Sequence, residues 1–551
     1  MGENHEKVLG FGLHQLRNRR IVAVLRLRFA CLVCLLLAVS RIATAADWLT
    51  FAHDPQRTGW ASEEHSISPE TAGNLTLLWK TKIDSAPKGL WSLTSPVVAE
   101  NVSTKEGNKT VVYVAGVLGT VFALAADTGE ELWHYTVKNF VESRTGVYIY
   151  QGGFLCPNGI TATPVIDKNT NTLYVIGPDG MLYGLDLGSG FVHYGPVQFV
   201  APFSKNWSLS LVNGKVYTTL SQGCGNGISG VYSIDVRDRH HPIIEQGLLS
   251  NTNTAGIWGR AGPVIGTNGR VYGGTADGMF NPAAGDYSNS IVAEGLEQLS
   301  VLDYFLPPNW LYLTHKDFDL GSSSPVYFGW RNRNLLAHGA KEGVVYLLDA
   351  DALGGKDHQT PLYVSPRLGN DRQICCEGIG IWGGLSTARD TSGQTWLYVP
   401  MAGPPAADGP KFPMTNGDIS HGSVMAFKVE MDPKTDGPTL TPAWIAGNFD
   451  HPDPAVIANG VVFSLSNGEN AIQKGGEVKR LENTHPAVLR ALDAATGKEL
   501  YNSGSAISSW VHFSGLALAN GKVYAVDHDA NLYCFGLAGR DHSTKPPAAN
   551  E

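Results

Sequence analysis

Thr94-Ser95-Pro96-Val97-Val98, then Val111-Val112-Tyr113-Val114, then Gly119-Thr120-Val121-Phe122-Ala123-Leu124, and finally Asp127-Thr128-Gly129 ahead of Leu132-Trp133 form a phrase that returns along the chain. A second copy reads Thr163-Pro164-Val165-Ile166, Leu173-Tyr174-Val175-Ile176, Asp179-Gly180 and Leu182-Tyr183-Gly184-Leu185-Asp186. Further copies open near Leu211, Val264, Val326, Leu385, Val456 and Leu516. The period is roughly 60 residues, longer than the ~40–45 of a WD40 blade. Within each copy, short β-branched and aromatic stretches are split by Gly turns such as Asp179-Gly180 and Asp277-Gly278, so the unit is a four-stranded sheet. Helical periodicity is nearly absent. Four-stranded antiparallel sheets set radially bury both faces against their neighbours. The prediction is therefore an all-β, eight-bladed β-propeller formed as one domain.

Composition fits this: 64 Gly and 30 Pro serve many turns, while 13 Trp and 20 Tyr supply flat side chains for packing between blades. Residues 1–45 carry basic side chains from Arg17 to Arg28, an apolar run from Phe29 to Val39, and Ala43-Thr44-Ala45 before Ala46-Asp47-Trp48. That order reads as a signal peptide cleaved near Ala45, because the run is shorter than the ~18–20 residues a membrane helix needs. The expected organisation is a signal peptide at 1–45, a single propeller at 46–540 and a disordered tail at 541–551, in a periplasmic or secreted protein with no membrane span in the mature chain. The net charge is −9, and losing the basic leader makes the mature chain more acidic still, which argues against nucleic acid and anionic membrane surfaces as partners. Five cysteines remain after the leader, Cys156, Cys224, Cys375, Cys376 and Cys534, and at least one disulfide is expected in an oxidising compartment.

The phrase Ala123-Leu124-Ala125-Ala126-Asp127-Thr128-Gly129-Glu130-Glu131-Leu132-Trp133, with Ala491-Leu492-Asp493-Ala494-Ala495-Thr496-Gly497-Lys498-Glu499-Leu500-Tyr501, resembles the tryptophan-docking repeat of quinoproteins, the dehydrogenases that use pyrroloquinoline quinone (PQQ). The resemblance covers nearly all of the mature chain. It implies that the strand from Leu75 to Ile83 closes the ring by pairing within the last blade. Read from the residues alone, Trp133 lies flat between blades as packing.

The same resemblance points to a site in the middle of the chain. Gly256-Ile257-Trp258-Gly259 is similar to the segment whose indole is the floor for PQQ, a cofactor-binding role for Trp258. Gly278-Met279-Phe280-Asn281-Pro282 resembles the family's Gly-Asn-Pro, which makes Asn281 a metal ligand. Asp317-Phe318-Asp319 resembles the segment of the catalytic aspartate followed by a second, metal-binding one, so Asp317 is the expected base and Asp319 a ligand for Ca²⁺ or a lanthanide. If the stretch is extended, the i and i+2 carboxylates face one space. Lys341, before the Gly343 hairpin, is similar to the family's basic residue beside the quinone oxygens. His421, Trp510 and His512 lie near blade boundaries, where a side chain can face the central channel, although lone histidines are usually ordinary surface or packing residues.

Two departures stand out. Where the family carries a metal-binding Glu, this chain reads Ser221-Gln222-Gly223-Cys224-Gly225-Asn226-Gly227-Ile228-Ser229-Gly230, with no acid. The adjacent-cysteine disulfide of many members has only Cys156 at its usual place, while Cys375-Cys376 sit side by side between the fifth and sixth blades. Both a Cys375–Cys376 bridge and a Cys156–Cys224 bridge are open, with Cys534 left free. No HExxH, GxSxG, Walker loop or C-x-x-C-H is present. The implied function is oxidation of an alcohol or sugar hydroxyl with PQQ and a divalent or lanthanide ion, electrons passing to an acceptor such as a cytochrome c. The alternative is a propeller that has lost its cofactor and serves as a binding or envelope-assembly scaffold.

Overall fold

The computed structural model describes residues 47–138, 155–250, 256–276, 278–472 and 476–538. The expected signal peptide and its cleavage point, the C-terminal tail and Asp277 of the expected hairpin lie outside the described residues. Eight antiparallel sheets follow one another along the chain, and the expected propeller is observed. Each start read from the repeat falls at or beside the first strand of a blade: Val97–Thr104, Val165–Asp167, Ser210–Val212, Val264–Ile265, Val326–Trp330, Ser386–Arg389, Val456–Ala458 and Ala517–Ala519.

Leu75–Lys82 is the outermost strand of blade 8, antiparallel to Asn531–Leu537 from Leu75 opposite Leu537 to Lys82 opposite Asn531. The last blade is thus built from both ends of the propeller, and no sheet edge is left for the ring to open along. Blades lock through their tryptophans. Trp79 Nε1 donates to Ala126 O at 3.0 Å, Trp133 Nε1 to Leu187 O at 2.9 Å and Trp444 Nε1 to Ala494 O at 2.9 Å, each reaching the next blade. The glycine of the facing turn must lie close: Gly129 has φ +72°, and a Cβ there would come within 2.5 Å of the Trp79 ring. The Asp-x-x-Thr-Gly phrase therefore encodes a turn and a docking surface together.

The structure departs from uniform four-stranded blades in three places. Blade 3 has its first strand broken into Lys205–Asn206 and Ser210–Val212, both paired to Lys215–Ser221. Blade 6 gains Met414–Asn416, parallel to Gly437–Ala446. In blade 4 the strands Arg270–Gly274 and Ile291–Gly295 are joined by a long excursion holding the hairpin Phe280–Asn281 and Asp286–Tyr287. Among the described residues two short α-helices are inserted, Trp310–Lys316 between blades 4 and 5 and Gly476–Glu482 between the second and third strands of blade 7. No helix among the described residues is long and apolar enough to cross a membrane.

One buried charge in the blade 3–4 interface has a measurable consequence. Glu294 is 0 % exposed, and neither of its carboxylate oxygens has a hydrogen-bond partner. Burial holds its carboxyl well above the ordinary 4.5. The folded state thus keeps the proton longer than the unfolded one, so stability is complete below about pH 4.5 and is lost as pH rises through the folded value. Glu294→Met is expected to raise the melting temperature at neutral pH and to flatten this fall. Parallel melting curves of the two proteins from pH 4 to 8 would count against it.

Candidate functional site

A cavity of about 210 Å³ is lined from every blade. Trp91 comes from the approach to blade 1, Leu155 from that to blade 2, Lys205 and Trp207 from blade 3, and Trp258 and Arg260 from blade 4. Blade 5 gives Asp317, Asp319 and Lys341, blade 6 Trp382, blade 7 His451 and Arg480, and blade 8 His512. Only the axis of a ring can be reached by all eight. A larger open depression of about 660 Å³ beside Trp330, Arg389 and Glu430 gathers no comparable cluster.

The blade 5 wall carries the two aspartates. Helix Trp310–Lys316 ends on Asp317, which adopts φ 55°, ψ 42° and donates its N–H to the Leu313 and Thr314 carbonyls. Asp tolerates this left-handed cap better than most residues. Phe318 is 0 % exposed and packs in the core between blades 4 and 5. Asp319 then opens the 3₁₀ turn Leu320–Ser322. The stretch is therefore a helix cap and not the extended strand expected, yet the two carboxylates still converge, because the buried ring pins the residue between them.

Lys341 is where they meet. Its Nζ donates to Asp317 O at 3.0 Å, to Asp317 Oδ1 at 3.4 Å and to Asp319 Oδ2. It also lies 5.2 Å from the Trp258 ring centroid and 5.3 Å from that of Trp382. Lys341 and Asp319 are 2 % and 1 % exposed, whereas the Asp317 side chain is 43 % exposed. Trp258, Asp317, Asp319 and Lys341 are thus brought to one cavity. Asn281 is not: it is exposed on the blade 4 hairpin and lines no part of the cavity, so its amide oxygen is not offered to an ion there. The long excursion carries it away. Of the boundary residues, His512 lines the cavity, Trp510 packs beneath it with Trp91 and Trp207, and His421 is exposed.

Both open disulfides are present, Cys156–Cys224 and Cys375–Cys376, and Cys534 is free and buried. Cys376 Sγ lies 2.8 Å from Asp317 Oδ2, so the adjacent pair abuts the exposed aspartate. Asp317, Cys375 and Cys376 have ligand-type atoms within 4.8 Å of one another and could hold a metal ion. Sulfurs joined to each other are not thiolates, so such a cluster would need the bond reduced.

The opposite wall was not singled out from the sequence. Lys205 is 4 % exposed; its Nζ donates to Gln222 Oε1 at 2.7 Å and sits 4.8 and 4.9 Å from the Trp91 and Trp207 rings. The Arg260 guanidinium lies 4.1 Å over Trp91 and donates to His512 O. Burial, with Arg260 and Arg480 nearby, depresses Lys205 well below its ordinary value, and burial lowers Arg260 to about 10. Arg480 is paired with Glu469, which also accepts from His512 Nδ1 at 2.7 Å. Burial opposes ionisation of Glu469, but His512 and Arg480 outweigh it and hold its carboxyl below the usual range. Burial also lowers His512 to about 4, leaving its ring neutral near pH 7. Asp453 behind this wall is pushed up to about 7, chiefly by burial. The signal that could have found this wall is a tryptophan shortly ahead of the first strand in five blades: Trp91, Trp207, Trp258, Trp382 and Trp510.

No model of a known protein family matches the chain. Over 358 residues, 58% of this chain, it is 23% identical to the 1-butanol dehydrogenase (cytochrome c) of Thauera butanivorans. The match takes in 48% of that enzyme, so the chain spans about half the length of the curated relative. Among solved structures, a quinohemoprotein alcohol dehydrogenase of Pseudomonas putida HK5 aligns with 92% of this chain and 82% of its own, at a TM-score of 0.55 and 13% identity. That of Comamonas testosteroni aligns with the same shares at 0.53 and 15%. A europium-containing methanol dehydrogenase aligns with 89% of this chain and 98% of its own at 0.55 and 14%. The fold is the eight-bladed propeller of the quinoprotein alcohol dehydrogenases.

Proposed function

We propose that this propeller is an exported oxidoreductase of the quinoprotein type that oxidises an alcohol or sugar hydroxyl, with PQQ held in the axial cavity and a separate acceptor such as a cytochrome c. The observation that carries the reading is the convergence of Trp258, Asp317, Asp319 and Lys341, distant in sequence, on one cavity. The donor set suits an anionic, flat quinone: indole faces line the cavity, Trp258 Nε1 is buried without a hydrogen-bond partner, and Lys205, Arg260, Lys341 and Arg480 supply donors around it. PQQ when bound supplies the hydride acceptor. Trp258 would give it a stacking face, and Lys341 a fixed positive charge beside its oxygens. Asp317, the more exposed carboxylate, would take the hydroxyl proton.

A Ca²⁺ or lanthanide ion does not fit this donor set. Hard cations of the Ca²⁺ type take about 6–8 oxygen ligands. Here Asp317 and Asp319 are both bonded to Lys341, Asn281 is outside the cavity, and the Ser221 to Gly230 stretch has no acid. No step is assigned to a metal; the Lys341 ammonium already stands between the carboxylates. The same observation favours, as a second reading, a scaffold whose cofactor is lost.

The test is to incubate the purified protein with PQQ, with and without Ca²⁺ or La³⁺, desalt it, and assay a dye-linked panel of alcohols and sugars. Quinone absorbance retained without added metal, with turnover, is the expected result. No retention under any condition would leave the scaffold as the better account.

A further inference from the structure

Lys205 and Arg260 face the cavity without an ion-paired acid; Glu469 and Asp453 act on Arg260 only from a distance, and no acid acts on Lys205. Among the described residues, the ion pairs at the cavity join Lys341 to Asp317 and Asp319, and Arg480 to Glu469, with His512 beside the same glutamate. Neither Lys205 nor Arg260 takes part in one. Both are held in place by aromatic faces: Lys205 between Trp91 and Trp207, Arg260 flat on Trp91. A buried cation without an ion-paired partner is costly to keep, and burial beside Arg260 and Arg480 already favours loss of the Lys205 proton; an anion from the ligand would restore the ammonium and satisfy both groups at once. A neutral alcohol gives these groups nothing but a hydroxyl. A ligand that spans the cavity would place one end against Lys205 and Arg260 and the other toward Asp317.

We infer that Lys205 and Arg260 form a carboxylate-binding subsite and that the substrate is an acid bearing the hydroxyl to be oxidised, such as a sugar acid or hydroxy acid. The substrate assignment rests on the reading of the cavity as an oxidoreductase site; the anion subsite itself does not need the quinone. Two adjacent donors of different shape suit a carboxylate, whose oxygens accept from an ammonium and a guanidinium at once. Gln222, which also lines the cavity, accepts from Lys205 Nζ at 2.7 Å and fixes its position. The carboxylates of PQQ are the other source of the same chemistry, and the experiment separates the two.

The quinone-free protein is titrated with glucuronate and with glucose at matched ionic strength, by calorimetry and by melting temperature. Glucuronate is expected to bind about tenfold or more tightly than glucose, the size of a charge-assisted hydrogen bond. The preference should be lost in Lys205→Met and kept in Lys205→Arg. Lys205→Met replaces a buried amine whose charge burial disfavours, and it is expected to melt close to the parent; should it fail to fold, Arg260→Gln reads the same preference. Equal affinity for the two sugars, or a preference unchanged by both neutral variants, would overturn the subsite. The second arm repeats the titration after loading with PQQ. If loading abolishes the glucuronate preference and Lys205→Met lowers PQQ retention, the cations serve the quinone and the substrate assignment is overturned. Failure of the unmutated protein to retain PQQ would bear on the oxidoreductase reading and leave the anion preference to be judged by the first arm.

Discussion

Asp317→Asn is expected to lower quinone-dependent turnover by roughly 10²-fold or more, the contribution of a positioned general base, while leaving PQQ retention close to that of the parent. The substitution removes the proton acceptor and little else. Asparagine accepts the left-handed conformation that residue 317 needs to cap the helix, and the 317 carbonyl that receives Lys341 Nζ is untouched. Lys341 also keeps Asp319. Loss of turnover with an unchanged melting temperature would place Asp317 in the chemistry. Turnover within a few-fold of the parent would remove it from that role.

The second large effect is on stability. Lys341→Met strands Asp319, which is 1 % exposed, without the ammonium it bonds. Removing one partner of a buried ion pair typically costs about 3–5 kcal/mol, and removing both is often close to neutral. Lys341→Met should therefore shift the denaturation midpoint strongly, and Lys341→Met with Asp319→Asn should recover most of the loss. The coupling is read from the double-mutant cycle. Additive losses would mean that the pair is not the unit described. The same cycle bears on the metal question, since a lysine holding both carboxylates makes stability indifferent to chelator.

The parts of this molecule written in local pattern were legible in the sequence. The repeat placed the eight blades, and the resemblance placed the strand Leu75–Lys82 in the last of them, because pairing partners recur at a nearly fixed distance. Asp317 and Asp319 were pointed out by the resemblance, and the parity expected of an extended stretch does not apply, since they sit on a helix cap; they still share the cavity, with Phe318 between them buried. Asn281 was misled by a short motif whose surroundings had changed, since the hairpin that carries it projects from blade 4. Lys205, Arg260, Arg480 and Glu469 belong to no motif and lie on blades 3, 4 and 7. Only the closed ring makes them neighbours, and charge in a linear sequence does not reveal which residues will share an axis.

The joint between Leu75–Lys82 and Asn531–Leu537 also sets a clock. Lys82 is made long before its partner Asn531, and at synthesis rates of about 5–20 residues per second the wait is on the order of 20–90 s. Through that interval the first strand has no permanent partner, and its alternating, half-apolar edge is open to any other chain nearby. Seven blades can assemble in order as they emerge, but the eighth waits for the final residues. A truncation from Asn531 onward would thus free a strand of the same blade that comes from the opposite end of the propeller's sequence. Damage to the last few per cent of the chain becomes an aggregation hazard carried by the first.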